Sequence, residues 1–252
     1  MQTSRQNDMR GATMKTVYSM PQHSSTNSNN PKSGNLPFSN LRGEALARFN
    51  QIAMEVSYAR GGSLFKESDN PQFIFIIQRG RIKLSVTSRD GKVAILRIAQ
   101  AGEVLGMSAA LSGTAHELSA EAIELCDVKA IRVKDFAAFL QQYPEAAMES
   151  TRCVLQEYQM AFNNVCRLAL PATVAGRLAN LLLEWLRNRL ESGNKERRLV
   201  VPLTQEEIAG MTGTSRETIS RVLHQFQREK LISVKGTCLT VLQPEALEMM
   251  AV

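Results

Sequence analysis

Cysteine is sparse and scattered in this chain of 252 residues. The four cysteines, Cys126, Cys153, Cys166 and Cys238, include no C-x-x-C pair. Their spacing argues against a disulfide framework and against a zinc site. They read as small, mostly buried apolar residues, with Cys238, in a predicted hairpin, the best candidate for a redox-sensitive thiol. Histidine is rarer still, at three residues, and there is neither a glycine-rich phosphate motif nor a serine or cysteine in the setting of a nucleophile, so an enzyme is not expected. No apolar run approaches 18 residues, and the opening MQTSRQNDMRGATMK lacks the apolar core of a signal peptide. The expectation is a cytoplasmic protein with no membrane partner. Between Ile98 and Val128 there is no lysine or arginine at all, while Glu103, Glu117, Glu121, Glu124 and Asp127 fall there.

The chain has a hydrophobic content of 44 %, enough for one large or two modest domains. Its net charge of +6 and isoelectric point near 9.3 suit a polyanionic partner. The distribution helps less: residues 191 to 252 hold eight basic and eight acidic residues. A nucleic-acid surface there requires segregated charge, with Arg216, Arg221, Arg228, Lys230 and Lys235 turned towards phosphate.

The most informative stretch is LTQEEIAGMTGTSRETISRVLHQFQREKLI, from Leu203 to Ile232. Thr204 with Glu207 three residues on forms a capping box, and Ile208 and Met211 supply a buried side, so a helix starts at Thr204. Gly213 marks a sharp turn, Thr214 or Ser215 caps a second helix, and Ile219, Val222, Leu223 and Phe226 recur along it at helical spacing. The pattern is a helix-turn-helix. Arg216, Glu217, Ser220 and Arg221 share the polar face of the second helix near its N-terminus, the end that enters the major groove in this motif. Arginine can donate twice to guanine, glutamate can accept from cytosine N4, and a small hydroxyl can approach a base edge. The same spacing also suits an ordinary solvated face with charges at pair distance.

Earlier in the chain, residues 1 to 38 include QHSSTNSNNPKSGN, a composition expected to be a disordered tail in which His23 is simply solvated. Leu41 to Val56 reads as a short helix with Leu46, Phe49 and Ile52 on one side. From Ser57 to Val133 short β runs alternate with turns, which suggests a barrel or sandwich. Phe73 to Gln78 is one strand, and Asp90-Gly91 joins Arg81 to Val86 with Lys92 to Ile98 as a hairpin. Asp135 to Leu140 forms a short helix, and a long one from Glu145 to Leu170 carries Met148, Leu155 and Phe162, and Thr151, Tyr158 and Val165, in heptads. Val174, Leu178, Leu181, Leu182, Trp185 and Leu186 give an amphipathic helix with Trp185 in the core. Glu191 to Arg198 is a charged loop, Leu199 to Val201 a strand, and Leu231 to Val234 with Cys238 to Leu242 a hairpin whose Lys235 can meet phosphate. Pro244 opens a terminal helix.

The run Ser215-Arg216-Glu217-Thr218-Ile219-Ser220-Arg221 closely resembles the recognition helix of the Crp/Fnr family of bacterial transcription regulators. Gln78 to Leu84 and Gly102-Glu103-Val104-Leu105-Gly106 resemble the cyclic-nucleotide-binding type of β-barrel that precedes it there, and the likeness spans roughly residues 40 to 250. The resemblance implies an α+β fold of four segments. These are the tail (1–38), a cyclic-nucleotide-binding-like sensor domain (39–143), a dimerisation helix (144–170) and a winged helix-turn-helix DNA-binding domain (171–252). It further implies a homodimer on double-stranded DNA, with Glu217 and Arg221 reading the central pairs of a TGA-containing half-site, Arg216 and Ser220 tuning its flanks, and Thr204, Ser215 and Lys235 nearby. Activation would add a surface for RNA polymerase.

Members that bind cyclic AMP would have Glu and Leu after Gly106 and an Arg-Ser pair about ten residues later. This chain has Met107 and Ser108, then His116 and Glu117. With no basic residue in the segment, an acidic lining would repel a cyclic phosphate, and cyclic AMP is not expected to control the protein. The thiolates that iron-sulfur members cluster near the N-terminus are missing, and His116 is the sole histidine of the sensory part that could meet haem. No cofactor is expected. An unknown small-molecule effector at Gly106, Met107, Ser108, His116 and Glu117, and regulation without any effector, both remain open. So does the alternative of a ligand-binding signalling module that acts through protein contacts.

Overall fold

The computed structural model describes residues 12–14, 37–91, 93–191, 196–201 and 203–251. These fall into two compact units, one within Met1–Val86 and Ile98–Leu155, the other within Thr87–Arg97 and Gln156–Val252. Most of the expected disordered tail, with His23, lies outside the described residues; within it, β1 (Ala12–Met14) pairs with β2 (Ala53–Tyr58). Phe38, at the end of that expected tail, is buried, stacked on Phe49 at 5.0 Å and edge-on to Phe136 at 5.8 Å.

In the first unit, helix α1 (Gly43–Ile52) stops four residues before the end expected from sequence, because Ala53–Tyr58 is a strand. That strand is claimed by β9 (Cys126–Arg132), in register from Ala53↔Ile131 to Tyr58↔Cys126. The ladder satisfies the backbone and sends Val56 and Tyr58 inward. Leu46 is exposed rather than inside; the buried row is Ala45, Phe49 and Ile52, spaced i, i+4, i+7.

With β4 (Phe73–Arg79) and β7 (Val104–Leu105), one sheet runs β1-β2-β9-β4-β7. The other contains β3 (Ser63–Phe65), β8 (Ser119–Ala122), β5 (Arg81–Thr87) and β6 (Val93–Gln100), in the order β3-β8-β5-β6, and of these strands Thr87 and residues 93–97 are counted with the second unit. The period of two splits β4 between two cores: Phe75 and Ile77 join Tyr58, Ile82, Leu84 and Val128 in a cluster drawn from both sheets, whereas Ile74 and Ile76 join Phe49, Phe136 and Phe139 in the helical one. Phe136 and Phe139 belong to α3 (Val133–Gln142). Next comes α4 (Pro144–Ala169), with proline at its first position, where the missing N–H costs no intrahelical bond. On α4, Met148, Leu155, Tyr158, Phe162 and Val165 are all more than half exposed.

The second unit is built on α5 (Val174–Glu191), whose Leu178, Leu181, Leu182 and Leu186 are buried. Trp185 is half-buried, not in the core as expected: the row of leucines fills the buried stripe and leaves the indole at its margin. Of the charged loop, residues 192–195 lie outside the described residues. Strand β10 (Arg198–Val200) leads to α6 (Gln205–Thr212) and α7 (Arg216–Arg228). Strands β11 (Ile232–Lys235) and β12 (Cys238–Val241) and helix α8 (Pro244–Met250) close the chain. The three strands form a wing in the order β10-β12-β11.

Candidate nucleic-acid interface

Helix α6 begins on the expected capping box. The Glu207 N–H donates to Thr204 Oγ1 at 3.2 Å, and the Thr204 N–H donates to Glu207 Oε2 at 2.8 Å. It ends at Gly213, whose φ of 62° is left-handed and favours glycine. The turn is further held from outside: Arg177 of α5 donates through Nε to the Thr212 carbonyl at 2.7 Å, and the buried Thr212 hydroxyl donates to the Ile208 carbonyl at 2.9 Å. Sequence reading missed Arg177 and Thr212; a lone arginine inside an apolar helical row was the available signal.

Of the two caps left open for α7, Ser215 is the one used, accepting the Thr218 N–H at 3.3 Å. Ile219, Leu223 and Phe226 are buried, with Val222 partly so, and they pin the inner face. On the outer face Arg216, Glu217 and Arg221 are exposed and Ser220 is half-buried. Exposed His224 and Arg228 continue that face along the helix. Arg221 Nη2 donates to Thr218 Oγ1 at 3.3 Å, so Thr218, also missed from sequence, orients the arginine. The Glu217 carboxyl is held below the usual carboxylate range by its own backbone N–H first, then by the Ser215 hydroxyl, Arg216 and Arg221. An ionised acceptor therefore stands between two cationic donors, the set needed for a C·G pair beside a guanine. Thr204 and Ser215 are exposed as well as capping, and Lys235 is exposed at the end of β11 beside the Gly236 turn. Cys238 accepts from Arg198 Nη2 at 3.1 Å across the wing.

Of the five effector-pocket candidates, Gly106 and His116 meet, whereas Met107 is turned away from them into the core. Gly106 adopts φ 78°, a backbone conformation that favours glycine, and a Cβ there would lie a tight 3.1 Å from His116 Cε1. His116 is buried and stacks on Phe65, with centroids 3.9 Å apart and planes 14° apart. Its backbone N–H donates to the Asp69 carbonyl at 2.9 Å. Burial pushes the imidazole below its ordinary 6.5, opposed by Asp69. Met107 points instead into the helical core with Ile74 and Phe136, while Ser108 and Glu117 are exposed. The expected acidic lining also needs correcting. Glu121 pairs with Lys83 at 3.0 Å, Glu124 with Arg81 at 2.9 Å and Asp127 with Arg79 at 3.0 Å, because β5 and the end of β4 supply the bases that residues 98 to 128 lack. Among the described residues no group of three or more His, Cys, Asp or Glu is placed to hold a metal ion, and no helix is long and apolar enough to cross a membrane.

A capped helix-turn-helix with a β wing, following a cyclic-nucleotide-binding type of β domain and a long helix, defines a DNA-binding transcription regulator, a class that is not enzymatic. Comparison with known proteins agrees. The Crp-like helix-turn-helix domain matches residues 176–250 and the cyclic nucleotide-binding domain matches residues 55–143. The nitrogen fixation regulation protein FixK of Bradyrhizobium diazoefficiens is 25 % identical over 213 residues, 84 % of this chain and 88 % of its own. The CRP-like cAMP-activated global transcriptional regulator of Mycobacterium tuberculosis is 26 % identical over 212 residues, 83 % and 93 % of the two chains. Among solved structures, FixK2 from Bradyrhizobium japonicum shares the fold at a TM-score of 0.71 with 21 % identity, covering 80 % of this chain and 98 % of that one. The chain belongs to the Crp/Fnr family of transcription regulators.

Proposed function

We propose that the protein is a homodimeric, cytoplasmic regulator that reads a palindromic DNA site with TGA-type half-sites and is not controlled by cyclic AMP. The observation that carries this is the outer face of α7, where Arg216, Glu217 and Arg221 are exposed on a helix whose caps and buried face are fully used. Glu217 accepts from cytosine N4, Arg221 donates to guanine, and Arg216 and Ser220 adjust the flanking pairs. Thr204, Ser215 and Lys235 border that face and meet phosphate, which sets register and supplies most of the affinity.

Dimerisation is supported by the exposed row Met148, Leu155, Tyr158, Phe162 and Val165 on α4. A seam of that size left in water is unfavourable at roughly 25 cal/mol per Å², and a second copy covers it. A two-fold site asks such a dimer to present its two α7 helices about one DNA turn apart.

His116 is the residue that speaks against cyclic AMP. Relatives are named as cAMP-activated regulators. Here the ring of His116 fills the space beside Gly106 and Phe65, and Met107 is turned into the core. A cyclic phosphate would have to displace a buried ring and would find no guanidinium in its place.

The test is selection of duplexes from a random pool by the purified protein with no ligand added, followed by titration of the winner across salt. Recovery of a palindrome with TGA-containing half-sites, with log K falling linearly against log salt, is the expected result. Recovery of no site, with or without added small molecules, would rule the reading out and favour a module acting through protein contacts.

A further inference from the structure

Arg167 lies on the side of α4 opposite the exposed apolar row, and only 6 % of its surface is accessible. Its Nη2 donates to the Leu96 carbonyl at 2.9 Å and to Asn164 Oδ1 at 3.0 Å. Its Nε is 3.8 Å from Glu184 Oε2 of α5. Neither Nε nor Nη1 has a hydrogen-bond partner among the described residues. Burial pushes this guanidinium down from its ordinary value, with Glu184 opposing, yet an arginine remains charged in a protein. A permanent cation is therefore held out of water with one of its three nitrogens hydrogen-bonded. An apolar side chain of similar volume would serve packing as well or better, so packing does not account for the residue.

What the guanidinium holds is more informative. Leu96 belongs to the Thr87–Arg97 hairpin, which lies in the same compact unit as α5, α6 and α7. One residue away, Ile95 meets α6 at Gly210, where a side-chain carbon would stand 3.5 Å from Ile95 N and 3.6 Å from its Cγ1. Both are ordinary van der Waals distances, so the hairpin rests on the helix without strain. Arg167 thus joins three elements, through the hairpin's carbonyl, its own helix and the carboxylate of α5.

We propose that Arg167 is a positioning latch that keeps the Thr87–Arg97 hairpin seated on α6 and so fixes the orientation in which α7 is presented by each protomer. The inference rests on the dimeric DNA reading above. A dimer must place two helices on two half-sites at once, and a module that pivots freely loses that freedom on binding, which weakens the complex. A latched module has given it up in advance. Contacts of one α7 with one half-site do not depend on the latch.

The test uses the full-length chain with Arg167→Met and Arg167→Lys. Amide hydrogen exchange is followed at residues 93–97 and 205–212, and duplexes carrying the selected palindrome, a single half-site, or half-sites respaced by one base pair are titrated. For Arg167→Met the expected results are faster exchange at both segments and palindrome binding weakened about tenfold, or ~1.4 kcal/mol. Half-site binding should be unchanged, and the penalty for respacing reduced. Arg167→Lys, which keeps a donor for the Leu96 carbonyl, should fall between. Unchanged exchange overturns the latch. So does palindrome affinity that stays level or rises, and so does an equal loss on palindrome and half-site, which marks a merely structural residue. If Arg167→Met does not fold, Ile95→Ala thins the same contact from the hairpin side and is judged by the same readings. A wild-type protein that binds no duplex would defeat the functional reading, and the exchange data would still decide the latch.

Discussion

On α7, Arg216, Glu217 and Arg221 stand in solvent while Ile219, Leu223 and Phe226 hold the helix from behind. Around Gly106 the arrangement is reversed: His116 is stacked on Phe65 and Met107 is in the core. Both regions were singled out by motif. The difference is whether the side chains at the motif positions are left available, and that depends on what each position offers to pack against. The charged residues on the outer face of α7 stay in water. A histidine beside a glycine and a phenylalanine has a ring to stack on.

Four variants probe that contrast. The largest effect is expected from Tyr158→Lys with Phe162→Lys, which removes two exposed aromatics from α4 and sets like charges across the proposed two-fold. Each ring is worth roughly 1.5–3 kcal/mol of burial, so the protein should sediment as a monomer and lose the palindrome. A variant that stays dimeric would remove α4 from the interface. Next, Arg221→Ala should weaken specific recognition by about 1–3 kcal/mol per half-site for the lost bidentate pair, with an unaltered far-ultraviolet circular dichroism spectrum. Binding to the selected site as tight as the parent's would show that α7 is not the reading face.

A smaller loss is expected at the first helix. Thr204→Ala removes the cap that accepts the Glu207 N–H and should cost about 1 kcal/mol in denaturant unfolding. An unchanged midpoint would mean that solvent replaces the cap fully. The smallest effect concerns His116. Its folded pKa is depressed, so the unfolded chain binds the proton more readily, and stability should fall as pH drops from the ordinary 6.5 through the lower folded value. His116→Phe keeps a ring on Phe65 and should flatten that part of the curve of Tm against pH. Parallel curves for parent and variant would show that the imidazole is not the group responsible.

Much of the reading module was legible in the sequence because its signals are local. The Thr204 box, the Gly213 turn, the Ser215 cap and the Ile219, Leu223, Phe226 row each lie within a few residues of their partners. The barrel was legible as alternation and turns, but not in its details. Residues 53–56 look helical because their partner β9 lies some 70 residues away, and the acids of residues 98 to 128 look unopposed because Lys83, Arg81 and Arg79 sit on other strands. Trp185 was expected inside because periodicity marks a face and not how much of it the neighbours need. Arg177 and Arg167 were passed over for the same reason as the barrel's pairings: their partners, Thr212 and Leu96, are far along the chain.

The wing bears on how such a protein can change over time. β10 comes before the two reading helices and β12 after them, paired from Arg198↔Thr240 to Val200↔Cys238. The chain is therefore clasped on both sides of α6 and α7, and the entropic cost of bringing those ends together is met by strands that carry none of the reading residues. Substitutions at 216, 217, 220 and 221 leave the clasp and the buried row untouched. On the proposed reading, the address such a protein recognises is separable from the fold that presents it, and new operators come within reach of single substitutions on the exposed face.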